Sequence, residues 1–138
     1  MTAAARLKTA RAFLDSVIAC DFAKWPELLT DDVVMRFPYS PPGIPNHCEG
    51  LAASQEQTGG IMSMIKSFAW HDIDLHVGEG LDIVFGTGRS EVTTAAGKPY
   101  GNQYCFIFRF RGDKIADYSE YFNPLKVLES FGPDAGDA

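Results

Sequence analysis

Cysteine is scarce in this 138-residue chain, and concentrated positive charge is absent. Cys20, Cys48 and Cys105 are odd in number, and none belongs to a C-x-x-C pair. That excludes a disulfide framework and points to free thiols in a reducing compartment, so a cytoplasmic location is expected. Lys and Arg total 12 against 18 Asp and Glu, a formal net charge of -6, and no basic run offsets it. Nucleic acid and anionic membrane surfaces both require a basic patch and are not expected as partners. No stretch approaches the ~18 apolar residues of a membrane span. The opening MTAAARLKTARAFL lacks the apolar run of a signal peptide.

Histidine is also sparse. His47 beside Cys48, and His71 with His76, do not have metal-ligand spacing, because strand residues five apart face opposite ways. The glycine fragments at 78–80 and 86–88 do not complete a G-x-G-x-x-G ahead of a helix and read as turns or strand twists. Neither a metal nor a cofactor is expected.

What remains is an ordinary globular composition, 46% hydrophobic and 22% charged. The length suits one domain, placed at 1–132, followed by a flexible tail at 133–138. Leu7, Ala10, Leu14, Val17 and Ile18 recur at helical spacing. A short second helix begins near Asp21, and Pro26 limits it. Val33, Met35, Phe37 and Tyr39 alternate as a strand. The Pro-rich run SPPGIPNHCEG reads as loop. Ile61, Met64, Ile65 and Phe68 suggest a third helix, weakened ahead of them by Gly59 and Gly60. The period then switches to two, over roughly 70–78, 81–95 and 100–111, with a fourth strand from Lys114 to Asn123. Asn123-Pro124 reads as a helix cap and first turn, Leu125, Leu128 and Phe131 continue that helix, and Gly132 stops it. Helices first and a strand meander second imply an α+β domain with an antiparallel sheet covered on one face.

Period two sorts the strand side chains. Tyr100, Asn102, Tyr104, Phe106, Phe108 and Phe110 share the covered face. In the last strand Ala116, Tyr118, Glu120 and Phe122 share a face, which puts a carboxyl among apolar groups. Burying an ionised carboxylate is costly unless it is paired or its pKa rises. Glu120 is therefore the leading candidate for proton transfer. His71, placed on a face with Ile73, Leu75 and Val77, is the second. Arg89 and Glu91 share a face with Ile83 and Phe85. Asn102 and Tyr104 could give an apolar cavity its polar points, with Tyr39, Phe106 and Tyr118 on its wall.

The pattern GDKIADYSEYFNPLKVLESFG, preceded by an aromatic strand and by FPYSPPG…EG, resembles SnoaL-like proteins of the nuclear transport factor 2-like superfamily. The resemblance covers about 1–132. It implies a cone-shaped curved antiparallel sheet wrapped around N-terminal helices and enclosing an apolar pocket. Relatives include ketosteroid isomerase, SnoaL-type polyketide cyclases, limonene-epoxide hydrolase and the phenazine-biosynthesis A/B proteins. The places of the ketosteroid isomerase tyrosine, base and acid hold Phe13, Phe37 and Phe106, so that mechanism is not implied. Arg89-Ser90-Glu91 and Glu120 resemble the limonene-epoxide hydrolase acidic motifs, with glutamate for aspartate. An acid at the Glu120 position is also implied by the cyclases and the phenazine A/B proteins.

These readings together describe a small cofactor-free enzyme for acid–base chemistry (isomerisation, cyclisation, dehydration or epoxide opening) on a hydrophobic, oxygen-bearing small molecule. Glu120 and His71 would be catalytic, with Tyr39, Arg89, Glu91, Asn102, Tyr104, Phe106 and Tyr118 binding substrate. The alternative is a non-catalytic ligand-binding or dimerisation domain of the same fold. Cys105, Ile107 and Tyr121 leave the outer sheet face half apolar, so a homodimer is expected.

Overall fold

The computed structural model describes residues 2–131. The first helix, α1 (Ala3–Ala19), starts at Thr2, whose hydroxyl accepts the Ala5 N–H at 3.1 Å, and ends where Cys20 turns left-handed. A 3₁₀ turn (Phe22–Lys24) leads into α2 (Trp25–Leu28), where Pro26 stands in the first turn and forfeits no hydrogen bond. The remaining elements are β1 (Leu29–Arg36), β2 (His47–Glu49), α3 (Leu51–Met62), β3 (Ile65–Val77), β4 (Ile83–Thr94), β5 (Pro99–Arg111), β6 (Lys114–Phe122) and α4 (Pro124–Phe131). Asn123 caps α4 through its side-chain oxygen and the Leu125 N–H, 3.0 Å apart. The stop expected at Gly132 and the tail at 133–138 lie outside the described residues.

The six strands form one curved, unclosed sheet in the order β2-β1-β6-β5-β4-β3. All neighbours are antiparallel except β1 and β6, which run parallel. The antiparallel sheet expected from the sequence holds at four of the five strand pairings; the correction is this parallel pair, where the chain's first strand enters beside its last. A second correction concerns β2, hidden in the Pro-rich loop. His47–Glu49 pair with Val34–Arg36, and Phe37 N–H to Asn46 O and Gly50 N–H to Val33 O, both 2.7 Å, extend the ladder. A partner edge, rather than local propensity, makes this strand. A third is the helix expected across Ile61–Phe68. α3 ends at Met62 and Ile65 opens β3, since a short apolar run fits either period and pairing with β4 decides between them.

Two of the sheet's register shifts bear on the inner face. On β3, His71 pairs with Arg89 and Asp74 with Thr87, so β3 carries one extra residue there. Asp72 takes a left-handed φ of 55° within this step. On β6, Arg109 pairs with Asp117 but Phe110 with Ile115, which makes Ala116 the extra residue. Ile115, not Ala116, is therefore buried with Tyr118. Gly86 lies beside the first bulge, where a Cβ would stand 2.0 Å from the Asp74 carbonyl oxygen. Only glycine lets β3 and β4 approach this closely.

The core lies between the inner sheet face and α1–α2. Phe13 packs on Trp25, Phe108 and Tyr118 with ring centroids 4.9–6.2 Å apart. The Trp25 indole N–H donates to Ser16 Oγ at 2.9 Å, and that of Trp70 donates to Leu14 O at 2.9 Å, tying the helices to each other and to β3. Arg6, 7% exposed, closes the other end. Its guanidinium donates to the carbonyls of Leu81 and Gly112 and pairs with Asp82, so one side chain pins two hairpin turns to α1.

Candidate functional site

The inner face of β5 presents Tyr100, Asn102, Tyr104, Phe106, Phe108 and Phe110 in alternation, as expected from its period. Across the ladder, Tyr104 stands opposite Phe122, Phe106 opposite Glu120 and Phe108 opposite Tyr118. On the other side Ser90 faces Asn102, while Gly88 and Gly86 face Tyr104 and Phe106, and a Cβ on Gly88 would stand 3.1 Å from the Phe106 ring. From β3, Trp70 meets Tyr104 and Phe106 edge-on at 5.3 and 5.5 Å, and the Tyr104 and Phe106 planes are nearly parallel, at 12°.

Glu120 lies within this aromatic wall. The residue keeps part of its surface open, but its carboxyl is surrounded by protein, and the carboxyl environment is what governs proton affinity. Burial pushes its pKa up from 4.5 to about 7, against the opposing pull of a 2.7 Å hydrogen bond donated by the Tyr118 hydroxyl. Among the described residues no cation pairs with it. The phenols respond in kind. Burial first, then the Glu120 charge, raises Tyr118 well above the ordinary phenol range, and burial followed by the Tyr100 and Glu120 charges does the same to Tyr104. Tyr100 is also raised, again chiefly by burial. All three therefore stay protonated and act as donors.

A polar network adjoins the carboxyl. Ser90 Oγ and the Tyr104 hydroxyl are 2.8 Å apart, and Ser90 Oγ also accepts the Asn102 N–H at 3.2 Å. The Asn102 amide nitrogen donates to the Tyr100 hydroxyl at 2.7 Å and to Asn123 O at 3.0 Å. Two clefts border this network. One of about 340 Å³ has Tyr100 on its wall with Lys98, Lys126 and Glu129, and one of about 400 Å³ touches Ser90 and Asn102.

Of the residues singled out in the sequence, Glu120, Asn102, Tyr104, Phe106 and Tyr118 come together here. His71, Arg89, Glu91 and Tyr39 do not. The shared face expected for His71 and Ile73 is corrected by the Asp72 bulge, which turns Ile73 inward and His71 outward. On the outer face His71 Nε2 lies 3.0 Å from Glu91, without hydrogen-bond alignment, and Arg89 bonds Asp72 at 2.6 Å. Arg89 and Glu91 do share a face with Ile83 and Phe85, and it is this outer one. Tyr39 is 57% exposed, its ring set edge-on against Tyr121 at 5.2 Å. Two network members escaped the sequence reading, Tyr100 and Ser90. The alternation already placed Tyr100 on the aromatic face. Nothing local marked Ser90, whose partners come from β5. Among the described residues no three His, Cys, Asp or Glu side chains are arranged to hold a metal, and no helix is long and apolar enough to cross a membrane.

Comparison with known proteins agrees with this architecture. The uncharacterized protein YesE of Bacillus subtilis (strain 168) is 28% identical over 91% of this chain and 86% of its own. The uncharacterized PhzA/B-like protein PA3332 of Pseudomonas aeruginosa is 29% identical, covering 81% of this chain and 79% of its own. A crystal structure of a Bacillus subtilis protein provisionally assigned as an isomerase superposes with a TM-score of 0.85 at 27% identity, covering 96% of both chains. The family model for SnoaL-like domains matches residues 10–118, from the middle of α1 to Tyr118. The chain thus belongs to the SnoaL-like domain family, as its aromatic strand and closing S-E-Y-F-N segment suggested.

Proposed function

We propose that this SnoaL-like domain is an acid–base enzyme in which Glu120 moves a proton on a hydrophobic, oxygen-bearing small molecule. The observation that carries this reading is a carboxyl poised near neutrality among phenols, with no paired cation among the described residues. General catalysis is most effective when the group's pKa lies near the working pH. Isomerisation, cyclisation, dehydration and epoxide opening all need such a proton shuttle and no change of oxidation state. Tyr118 orients the carboxylate, and the Tyr104 and Phe106 rings give the ligand an apolar wall. Similarity to a provisionally assigned isomerase and to a PhzA/B-like protein favours small-molecule chemistry. His71, on the far side of the sheet, has no part in this reaction.

The test uses 5-nitrobenzisoxazole, a neutral aromatic compound whose ring opens when a base removes its C–H proton and the N–O bond breaks. The native protein should open it with a rate that rises along a single titration centred near 7, and Glu120→Gln should abolish that rate. A rate unaffected by Glu120→Gln, or a midpoint near 4.5, overturns the reading. The outer face, with Phe85 43% exposed beside Cys105 and Ile107, is the surface through which two chains are proposed to associate. Sedimentation showing only monomer at micromolar concentration refutes that association.

A further inference from the structure

The helices cover the inner face of the sheet unequally. Phe13, backed by Trp25, packs on Phe108 and Tyr118, and the Arg6 guanidinium lies 5.3 Å from the Phe110 ring centre. α1 and α2 thus fill the half of that face nearest the turn between β5 and β6. In the other half Tyr104, Asn102 and Tyr100 follow along β5, with Phe122 opposite Tyr104. Phe106 and Glu120 stand opposite each other at the boundary. Trp70, bonded to Leu14 O of α1, closes the flank toward β3, and α3 packs against β1 and β2. Over the β5 end of this half lies α4, whose Phe131 ring meets Tyr100 edge-on at 5.1 Å.

α4 is loosely seated for an element in that position. None of its eight residues is buried, and Leu125 and Leu128 are 71% and 40% exposed. The two clefts run along the seam between this helix and the sheet. One separates Tyr100 and Gly101 from Lys126, Glu129 and Ser130, and the other separates Ser90 and Gln103 from Asn123 and Lys126. Neither has Glu120 on its wall, so a molecule held in either cleft does not touch the carboxyl. The start of the helix, by contrast, is fixed. Asn102 is buried, and its Oδ1 accepts the N–H groups of Gln103 and Asn123, each at 2.9 Å. Its Nδ2 donates to the Asn123 carbonyl and the Tyr100 hydroxyl. This fully engaged amide holds both polar groups of the Asn123 backbone to β5. Pro124 follows, with no N–H to tie it. A helix clamped at the residue before it, and resting at its far end on the Tyr100 ring, can turn as a unit about that junction.

We infer that α4 is a lid over the Glu120 end of the inner face: it turns on the Asn123–Pro124 junction, is latched by Phe131 against Tyr100, and has to swing away before a molecule can reach the carboxyl. The inference deepens the acid–base reading and rests on it only for the chemistry that follows entry. Closed, the lid keeps water from the carboxyl; open, it exposes the apolar wall of β5 to an arriving molecule. Asn102 is the positioning residue of the hinge. The latch releases readily, because an edge-on ring pair shifts an equilibrium by about tenfold at most.

Dicyclohexylcarbodiimide, an apolar reagent that adds to a protonated carboxyl and leaves a stable N-acylurea, reads whether Glu120 can be reached. At pH 5 the Glu120 carboxyl carries its proton, and peptide mass mapping reports position 120 apart from every other acid. The native protein should label slowly, and Phe131→Ala about fivefold faster. Arg6→Met, which weakens the fold at the opposite end of the sheet, should label at the native rate, since entry is by way of α4 and not by global unfolding. Hydrogen exchange should show α4 losing protection in Phe131→Ala while the amides of β5 keep theirs. Labelling of Phe131→Ala no faster than native, an equal acceleration by Arg6→Met, or native labelling as fast as that of the urea-unfolded chain overturns the inference. Phe131-dependent labelling without Glu120-dependent ring opening refutes only the acid–base reading and leaves the lid standing.

Discussion

Replacing Glu120 by Gln should stabilise the protein at alkaline pH, although it removes a side chain from the proposed reaction. The folded-state pKa of Glu120 is raised from 4.5 to about 7 by burial. A raised pKa means that the folded state binds the proton more tightly than the unfolded state does. The neutral carboxyl's advantage is fully present below about 4.5 and is lost as pH climbs through about 7. The interval corresponds to roughly 3 kcal/mol at ~1.4 kcal/mol per pKa unit, and partial exposure of the residue reduces this to about 2. Gln keeps the shape and an oxygen for the Tyr118 hydroxyl, and it cannot ionise. The assay is urea unfolding of both proteins at pH 5, 7 and 8.5. At pH 5 the two should differ by less than about 1 kcal/mol, the worth of one altered hydrogen bond. At pH 8.5 the variant should lead by about 2 kcal/mol, or several degrees in melting temperature. Using the difference between the proteins cancels the self-repulsion of a chain with net charge -6, which both share almost equally. A variant less stable than the native protein at pH 8.5 would identify Glu120 as a structural anion and refute both the desolvation argument and the site built on it.

Three further outcomes are expected. Tyr118→Phe removes the one hydrogen bond that lowers the Glu120 pKa, so the titration midpoint of Glu120, followed by carbon-detected NMR, should move above its native value; a lower midpoint contradicts the assignment. Arg6→Met should cost about 2–4 kcal/mol in urea unfolding, because the Leu81 and Gly112 carbonyls lose a buried charged donor. Gly86→Ala should cost a comparable amount, about 2–4 kcal/mol, since the added Cβ meets backbone rather than a movable side chain; a Gly86→Ala protein as stable as the native one would mean that β3 can yield at its bulge.

Most of the fold was legible because long alternating segments survive any tertiary context. The strands at 65–77, 83–94, 99–111 and 114–122 lie within a few residues of where their period places them. Asn123-Pro124 announced α4 through cap chemistry that is entirely local. The failures share a different cause. The His47–Glu49 strand exists only because β1 offers an edge. The 61–68 run satisfied both periods, and pairing with β4 chose the extended one. Glu120, Tyr104, Phe106 and Tyr118 were placed together because β5 and β6 keep strict alternation around them. His71 was misplaced because the Asp72 bulge inserts one residue between it and Ile73, and no local signal in β3 marks a bulge that shows only in its pairing with β4.

The bulges determine which chemistry each face of this sheet can carry. Had β3 alternated strictly back from Leu75, His71 would share the inner face and stand on the same side of the sheet as the Glu120 carboxyl, and an imidazolium there would pull that carboxyl back toward ionisation. With the bulge, the titratable groups of β3 and β4 (His71, Asp72, Arg89 and Glu91) pair with one another on the outer face, where water screens them. The inner face keeps one carboxyl, three phenols, a serine and a fully engaged amide. Such a set can hold a proton near neutrality and donate hydrogen bonds to an oxygen. The Asp72 bulge thus keeps the ion-paired groups of β3 and β4 on the screened surface, apart from the interior where burial raises the pKa of Glu120.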